Sequence, residues 1–196
     1  MIYLDTYDSP IGQLSLASDG IYLCGLWMEN QKYYQDKLEI RLNIKTKSAI
    51  AKLTERLYAP EARCHPAFFE DARKWLDIYF SGGEPSSAPP LRLRGTGFQE
   101  EVWAILQNIP YGQLTTYGAI AKQIANSRGA ETASARAVGV AVGRNPVSVI
   151  VPCHRVVGSN NSLTGYAGGI RRKIYLLELE GIDVNKLSVP AKGTAL

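Results

Sequence analysis

Apolar and polar residues alternate through the first thirty positions of the chain, and further on the apolar positions recur every three or four residues. Ile2, Leu4 and Tyr7 lead into the turn Asp8-Ser9-Pro10, after which Leu14 and Leu16 alternate with polar neighbours. A second turn at Asp19-Gly20 precedes a strand-like run from Ile21 to Trp27. Period-two alternation places every second side chain on one sheet face, so this stretch predicts a β-meander with helices packed on it. Asn30 is a candidate cap for a helix reaching about Leu42. Phe68, Ala72, Trp75, Leu76 and Tyr79 fall at helical spacing and predict an amphipathic helix over 68–80, ended by Ser81-Gly82-Gly83. Cys24 and this aromatic stripe are expected in the core.

The run from Ser81 to Pro90 is rich in chain breakers and reads as a surface connection. Beyond it the pattern is helical. Thr96 can cap a helix carrying Phe98, Val102, Trp103, Ile105 and Leu106, closed by Ile109-Pro110-Tyr111-Gly112. Thr115 or Thr116 can start a second helix through about Ala125, and a third is expected from about Thr132 to Val142. The glycine-containing turn between them makes the pair resemble a helix-turn-helix. Small residues (Ala133, Ala135, Ala137, Gly139, Ala141, Gly143) leave the third helix nearly bare around Arg136. Val147 to Val151 is a β-branched run expected as a buried strand or extended segment. A last helix spans about Ile170 to Glu180, closed by Gly181.

At 196 residues and 45% hydrophobic, the chain can bury a core as one large or two small domains. No run is long and apolar enough to span a bilayer, and the N-terminus lacks the features of a signal peptide. Three cysteines do not suggest a disulfide framework, so a reducing cytosol is expected. The net charge of +4 is unevenly placed. Residues 1–95 balance 12 basic against 12 acidic side chains, whereas residues 117–173 carry eight basic residues and one acid, Glu131. Such asymmetry is the footprint of a polyanionic partner; the alternative is a solvated basic face.

The candidate chemistry is at Val151-Pro152-Cys153-His154-Arg155. Pro152 breaks the apolar segment, so Cys153 sits where buried chain ends, shielded yet reachable. A neighbouring histidine and an orienting carboxylate would favour its thiolate, and His154 is the one histidine in this half, with Glu180 as the matching carboxylate. Adjacent side chains diverge, so a bridging water is expected between Cys153 and His154. Adjacency alone does not identify the nucleophile, because Cys64-His65 repeats it. Acyl transfer to a cysteine needs an oxyanion hole. Alkyl transfer does not, and the thioether it forms has no easy hydrolytic exit, so such a protein acts once.

Pro152-Cys153-His154-Arg155-Val156-Val157 resembles the active-site signature of the methylated-DNA–protein-cysteine methyltransferases. Further segments resemble the family in family order. They are Phe98-Gln99 with Val102-Trp103, Ile109 to Gly112, Thr116-Tyr117-Gly118, Ala135 to Gly139, Asn145-Pro146, Gly165 to Gly169 and Leu176 to Gly181. The resemblance implies an α+β fold: an N-terminal antiparallel sheet with helices (1–92, a ribonuclease-H-like supporting domain), a mainly helical DNA-binding and alkyl-transfer domain (93–184) and a tail (185–196). It implies single-turnover repair of O6-alkylguanine, with O4-alkylthymine as a further substrate, in double-stranded DNA after base flipping, by a monomer without a cofactor. Cys153 would accept the alkyl group, with His154 and Glu180 promoting its thiolate and Asn145 bracing the turn before it. Tyr117 would donate to the base and sit near the target phosphate, Lys173 would approach the backbone, and Thr116 and Ala135 would bind DNA. Arg136 would fill the stack vacated by the flipped nucleotide, and Val156, Tyr166 and Ala167 would line the base pocket.

The chain departs from the family pattern in places. Ala167 replaces a serine found in some members, so only its backbone N–H can serve the base. The segment Ala125 to Ser134 is longer than in compact members. Cys24, Cys64 and His65 give no zinc-ligand spacing, so no metal is expected. No upstream transcription-activating domain is expected either. Two other readings compete: a lesion sensor of the same fold, which would carry another residue at position 153, and a cysteine hydrolase, which would leave the basic 117–173 stretch unexplained.

Overall fold

The structure is a computed structural model, and it describes residues 2–32 and 69–189. The body of the expected helix after Asn30, Phe68 and the Cys64-His65 pair lie outside these residues, and Asn30 itself takes φ 59°. The chain divides into two compact units, Met1–Arg92 and Leu93–Leu196.

In the first unit, β1 (Tyr3–Ser9), β2 (Gly12–Ser18) and β3 (Leu23–Met28) form an antiparallel meander in the order β1-β2-β3. The alternation sets the register: Leu14 and Leu16 oppose Met28 and Leu26, and all four are fully buried. Gly12 takes φ 101° at the first turn. β3 starts two residues later than the sequence suggests, because Asp19 caps the turn by accepting from the N–H groups of Ile21 and Tyr22, leaving Ile21 exposed. Past the connector, Leu23 pairs with Pro90 and Arg92 through main-chain bonds of 2.8 and 3.0 Å.

Helix α1 (Glu70–Phe80) buries Ala72, Trp75, Leu76 and Tyr79, as the spacing predicts. Phe69 is buried just before it. Arg73 ties α1 to β1 through a 2.6 Å ion pair to Asp5, and Tyr7 donates a 2.7 Å bond to Asp77.

The second unit is helical. Helix α2 (Gly97–Gln107) starts at a capping box in which Thr96 and Gln99 exchange side-chain-to-backbone bonds. Helix α3 (Tyr117–Ser127) is capped by the Thr116 hydroxyl, and α4 (Ala135–Gly143) by that of Ser134. The later start of α4 than expected follows from that cap: Ser134 accepts from the Ala137 N–H, so residues before it stay outside the helix. Trp103, fully buried in α2, donates its indole N–H to the Ala141 carbonyl at 2.9 Å and so ties α2 to α4. Arg128, after α3, pairs with Glu101 of α2 and lies over the Phe98 ring.

Helix α5 (Ile170–Leu179) ends at Glu180, with Gly181 at φ 77°. A two-residue parallel pairing of β4 (Thr115–Thr116) with β5 (Val156–Val157) brings the entry to α3 beside the chain leaving Cys153. Residues 185–189, expected as tail, are built into this unit. Leu187 packs on Val157, Leu163 and Leu177, and Ser188 exchanges main-chain bonds with Asn161 and Leu163. Apolar residues at 182, 184 and 187 supply the surface that a free tail would have left in water.

Candidate active site

The run Val147 to Val151 is buried as expected but is a turn, not a strand. Val149 adopts φ 69°, unusual for a β-branched residue, and Ile150 N–H reaches back to the Ser148 carbonyl at 2.9 Å. The Asn145 side chain holds this turn from inside. Its Oδ1 accepts from Val147 N–H at 3.0 Å, and its Nδ2 donates to the Val151 carbonyl at 2.8 Å and to Cys153 Sγ at 3.2 Å. One amide therefore braces the backbone and touches the sulfur. Pro152 ends the turn, and Cys153 opens a short 3-10 turn, Cys153–Arg155, that passes straight into β5.

His154 Nε2 lies 2.7 Å from Glu180 Oε1, and both side chains are fully buried. Glu180 also accepts two bonds from Arg155, at 2.8 and 3.0 Å, and one from Gly112 N–H at 3.1 Å. Burial pushes its carboxyl upward, but these donors outweigh that and hold it at about 2. An ionised carboxylate only accepts, so His154 carries its proton on Nε2 and Nδ1 is the nitrogen able to take another. Burial lowers the His154 pKa against the pull of Glu180, which favours the neutral ring.

Sequence reasoning expected the surroundings to ionise Cys153. In the folded chain burial dominates and pushes the thiol up, while Asn145, the Lys173 charge and the local backbone N–H groups pull the other way. The buried sulfur is held as a thiol beside a neutral imidazole, so its proton leaves in the course of the reaction. Cys24 and Cys153 are free thiols.

Lys173, expected near the DNA backbone, is fully buried in α5. Its Nζ donates to the Val156 carbonyl at 2.6 Å and the Thr164 carbonyl at 3.1 Å. Desolvation lowers its pKa to about 8, opposed by Cys153. A long apolar stem threaded through the core and an ammonium satisfied by carbonyls remove it from any surface role. Tyr117 donates to the same Thr164 carbonyl at 3.0 Å and to that of Gly165 at 3.3 Å. Burial raises the pKa of Tyr117 and Tyr166, and both feel Cys153. Val156 is buried beside the cysteine, while Tyr166 and Ala167 are half-buried in the following loop. Thr116 pairs with Val157 beside the chain leaving Cys153, while Ala135 and Arg136 lie at the entry to α4, both exposed.

Arg155 was legible only as part of a motif and a charge count. The structure buries it between Glu180, the Ile109 carbonyl and the Tyr111 ring. The signal available was its place beside His154 in a run otherwise buried, where an arginine requires a partner. Among the described residues, no three His, Cys, Asp or Glu side chains cluster in a way that could hold a metal, and no helix is long and apolar enough to cross a membrane.

A single buried thiol, braced by an amide and backed by a carboxylate-oriented imidazole, beside a helix-turn-helix, defines a one-cysteine transferase built on a DNA-binding unit. Comparison with known proteins agrees: residues 97–182 match the DNA-binding domain of 6-O-methylguanine DNA methyltransferase, and residues 2–93 match its ribonuclease-like domain. The chain belongs to the 6-O-methylguanine DNA methyltransferase family. It is 44% identical over 180 residues to the methylated-DNA–protein-cysteine methyltransferase of Mycobacterium tuberculosis, covering 92% of this chain and 93% of that one. It is 39% identical over 181 residues to the protein of that name from Methanosarcina acetivorans, covering 92% and 99%. Among solved structures, the M. tuberculosis OGT in complex with DNA superposes with a TM-score of 0.68 at 40% identity, covering 96% of this chain and 95% of that one.

Proposed function

We propose that this protein repairs duplex DNA by transferring the alkyl group of O6-alkylguanine irreversibly to Cys153. The observation that carries the reading is the free, buried Cys153 thiol held by Asn145 next to the His154–Glu180–Arg155 chain. A base inside a duplex cannot present its alkyl carbon to a buried sulfur, so the nucleotide must be rotated out, at a cost of about a few kcal/mol that is least for a weakly paired, damaged base. Arg136, exposed near the start of α4, would fill the gap in the stack.

In the reaction the Cys153 S–H proton passes to Nδ1 of His154, directly or through water, while Sγ attacks the alkyl carbon. The S–C bond forms as the C–O6 bond breaks, the electron pair moves into the guanine ring, and the ring takes up through solvent the equivalent of the proton passed to His154, which returns to neutral. Glu180, kept ionised by Arg155 and His154, stabilises the imidazolium formed in passing. Tyr117, a hydroxyl donor beside the cysteine, would switch from the loop carbonyls to the base and offset charge on the departing ring. Lys173 supports the thiolate from inside while fixing the loop that carries Tyr166 and Ala167. The same pocket would admit O4-alkylthymine. One chain supplies every residue of the site, which suits a monomer, and two unpaired buried thiols suit a reducing cytosol.

The test is intact mass after incubation with a duplex containing O6-methylguanine. The expected result is one methyl per protein, mapped to Cys153, with no turnover. DNA binding without an adduct would favour a lesion sensor, and repeated turnover of an ester or peptide would favour a hydrolase.

A further inference from the structure

In the first unit, Asp71, Trp75 and Ile78 follow one another at intervals of four and three residues, so they share one face of α1. With Pro85 to Pro90 of the connector opposite, this face lines a groove of about 350 Å³, the size of a small binding cleft. Polar groups in it are unspent. Trp75 is only 8% exposed and stacks on Tyr79 with ring centroids 5.1 Å apart, yet its indole N–H donates to no acceptor among the described residues. A buried indole ordinarily finds a partner, as Trp103 does at the Ala141 carbonyl. The Trp75 nitrogen is not sealed off from solvent, so a ligand can reach it. Asp71, exposed at the same groove, has no cationic partner among the described residues, because Lys74 pairs with Glu70 at 3.4 Å. The main-chain N–H groups of Ser86, Ser87 and Ala88 on the connector are likewise unbonded among the described residues. Ile78, 46% exposed, and the prolyl rings supply apolar surface between these polar points.

We propose that this groove binds a short, extended peptide segment of a partner protein, carrying one Lys or Arg beside an apolar residue. The peptide's carbonyls accept from the Trp75 indole and from the connector N–H groups. Its cation pairs with Asp71, and its apolar side chain covers Ile78 and the prolyl rings. A peptide offers carbonyls in a row next to a cation, which is the complement of what the groove leaves unspent. An anionic ligand would meet the carboxylates of Asp71 and Glu70 instead, so the groove is not a second contact for DNA. Every residue involved belongs to the first unit, and the assignment stands independently of the repair function proposed above.

The experiment follows the indole N–H signals of Trp27, Trp75 and Trp103 by NMR of the isotope-labelled full chain. The probe is a synthetic peptide, Ala-Arg-Ala-Leu-Ala, acetylated and amidated at its ends, and its control carries Glu in place of Arg. Trp75→Phe assigns the Trp75 signal by removing it. The basic peptide is expected to shift that signal saturably and leave those of Trp27 and Trp103 in place, and the acidic peptide to shift none. Affinity is then read from the fluorescence anisotropy of the labelled basic peptide. Asp71→Asn is expected to weaken it about threefold, mid-range for an exposed ion pair. Trp75→Phe, which keeps a ring and removes the donor, is expected to weaken it about fivefold, the loss of one hydrogen bond. The rest of the spectrum, unchanged in both variants, reports that they fold. A Trp75 signal unmoved by the basic peptide at millimolar concentration overturns the proposal. An equal shift with the acidic peptide, or wild-type affinity in either variant, overturns it as well.

Discussion

The cations of the second unit fall into two populations with opposite physics. Arg155 and Lys173 are interior: one is matched by Glu180 and the other by two carbonyl oxygens. Arg136 and Arg144 are exposed at the two ends of α4. The sequence counts all four alike. Inside, a charge persists only where every bond is made, and losing one partner strands the other. Outside, a charge contributes little to folding and stays in contact with solvent. The basic excess around Cys153 is thus partly an electrostatic frame for the thiol and only partly a DNA footprint.

The largest effect that can break this division is at the sulfur. Cys153→Ala should abolish alkyl transfer completely while duplex affinity, set by the outer cations, stays within about twofold, well under a kcal/mol. A parallel loss of binding in a gel-shift titration would mean the two populations are not separable. Next comes the inner frame. Glu180→Ala leaves Arg155 buried without its carboxylate and should cost about 3–5 kcal/mol by denaturant titration, the range for a broken buried pair. A loss below about 1 kcal/mol would place Glu180 with the surface pairs.

The same carboxylate predicts an acid limb. The folded pKa of Glu180, about 2, lies below its unfolded value. Its stabilising contribution is therefore present above roughly pH 4.5 and is lost as the pH falls towards 2. Stability measured across that window should fall less steeply in Glu180→Gln than in the wild type. Equal slopes would show that the limb belongs to other acids.

Much of this division could be read from sequence, and its limits are physical. The His154–Glu180 pairing needed only one histidine and a helix that folds back, and the caps at Thr96, Thr116 and Gly181 were written in residue type. Val147 to Val151 misled because β-branched residues favour extended chain, whereas Asn145, two residues before the run, supplies side-chain bonds that hold Val149 at positive φ. Lys173 misled because the family resemblance places it near the DNA backbone and its neighbours Arg171 and Arg172 look like a basic patch. Only the third dimension shows that its position in α5 points inward, next to Leu176 and Leu177. Local pattern specifies elements; which face of an element is covered depends on partners far along the chain.

Smaller effects test the outer population. Arg136→Ala should slow repair in duplex roughly tenfold or more, because base extrusion costs a few kcal/mol and the arginine offsets part of it. Reaction with free O6-benzylguanine, which needs no extrusion, should be unchanged, and equal losses on both substrates would return Arg136 to a structural role.

The smallest expected effect is at Arg128. Its ion pair with Glu101 joins α3 to α2, yet the arginine side chain is 50% exposed and the carboxylate 29%. At that exposure, solvent screens the attraction and side-chain ordering offsets much of what remains, so Arg128→Ala should cost no more than about 1 kcal/mol. Salt should weaken the wild-type contact and shrink that difference further. Its lost stacking on Phe98 adds a small, salt-insensitive part. If instead the variant loses several kcal/mol, the segment between α3 and α4 depends on this anchor. The surface of the helix-turn-helix would then share the all-or-none character of the cysteine frame.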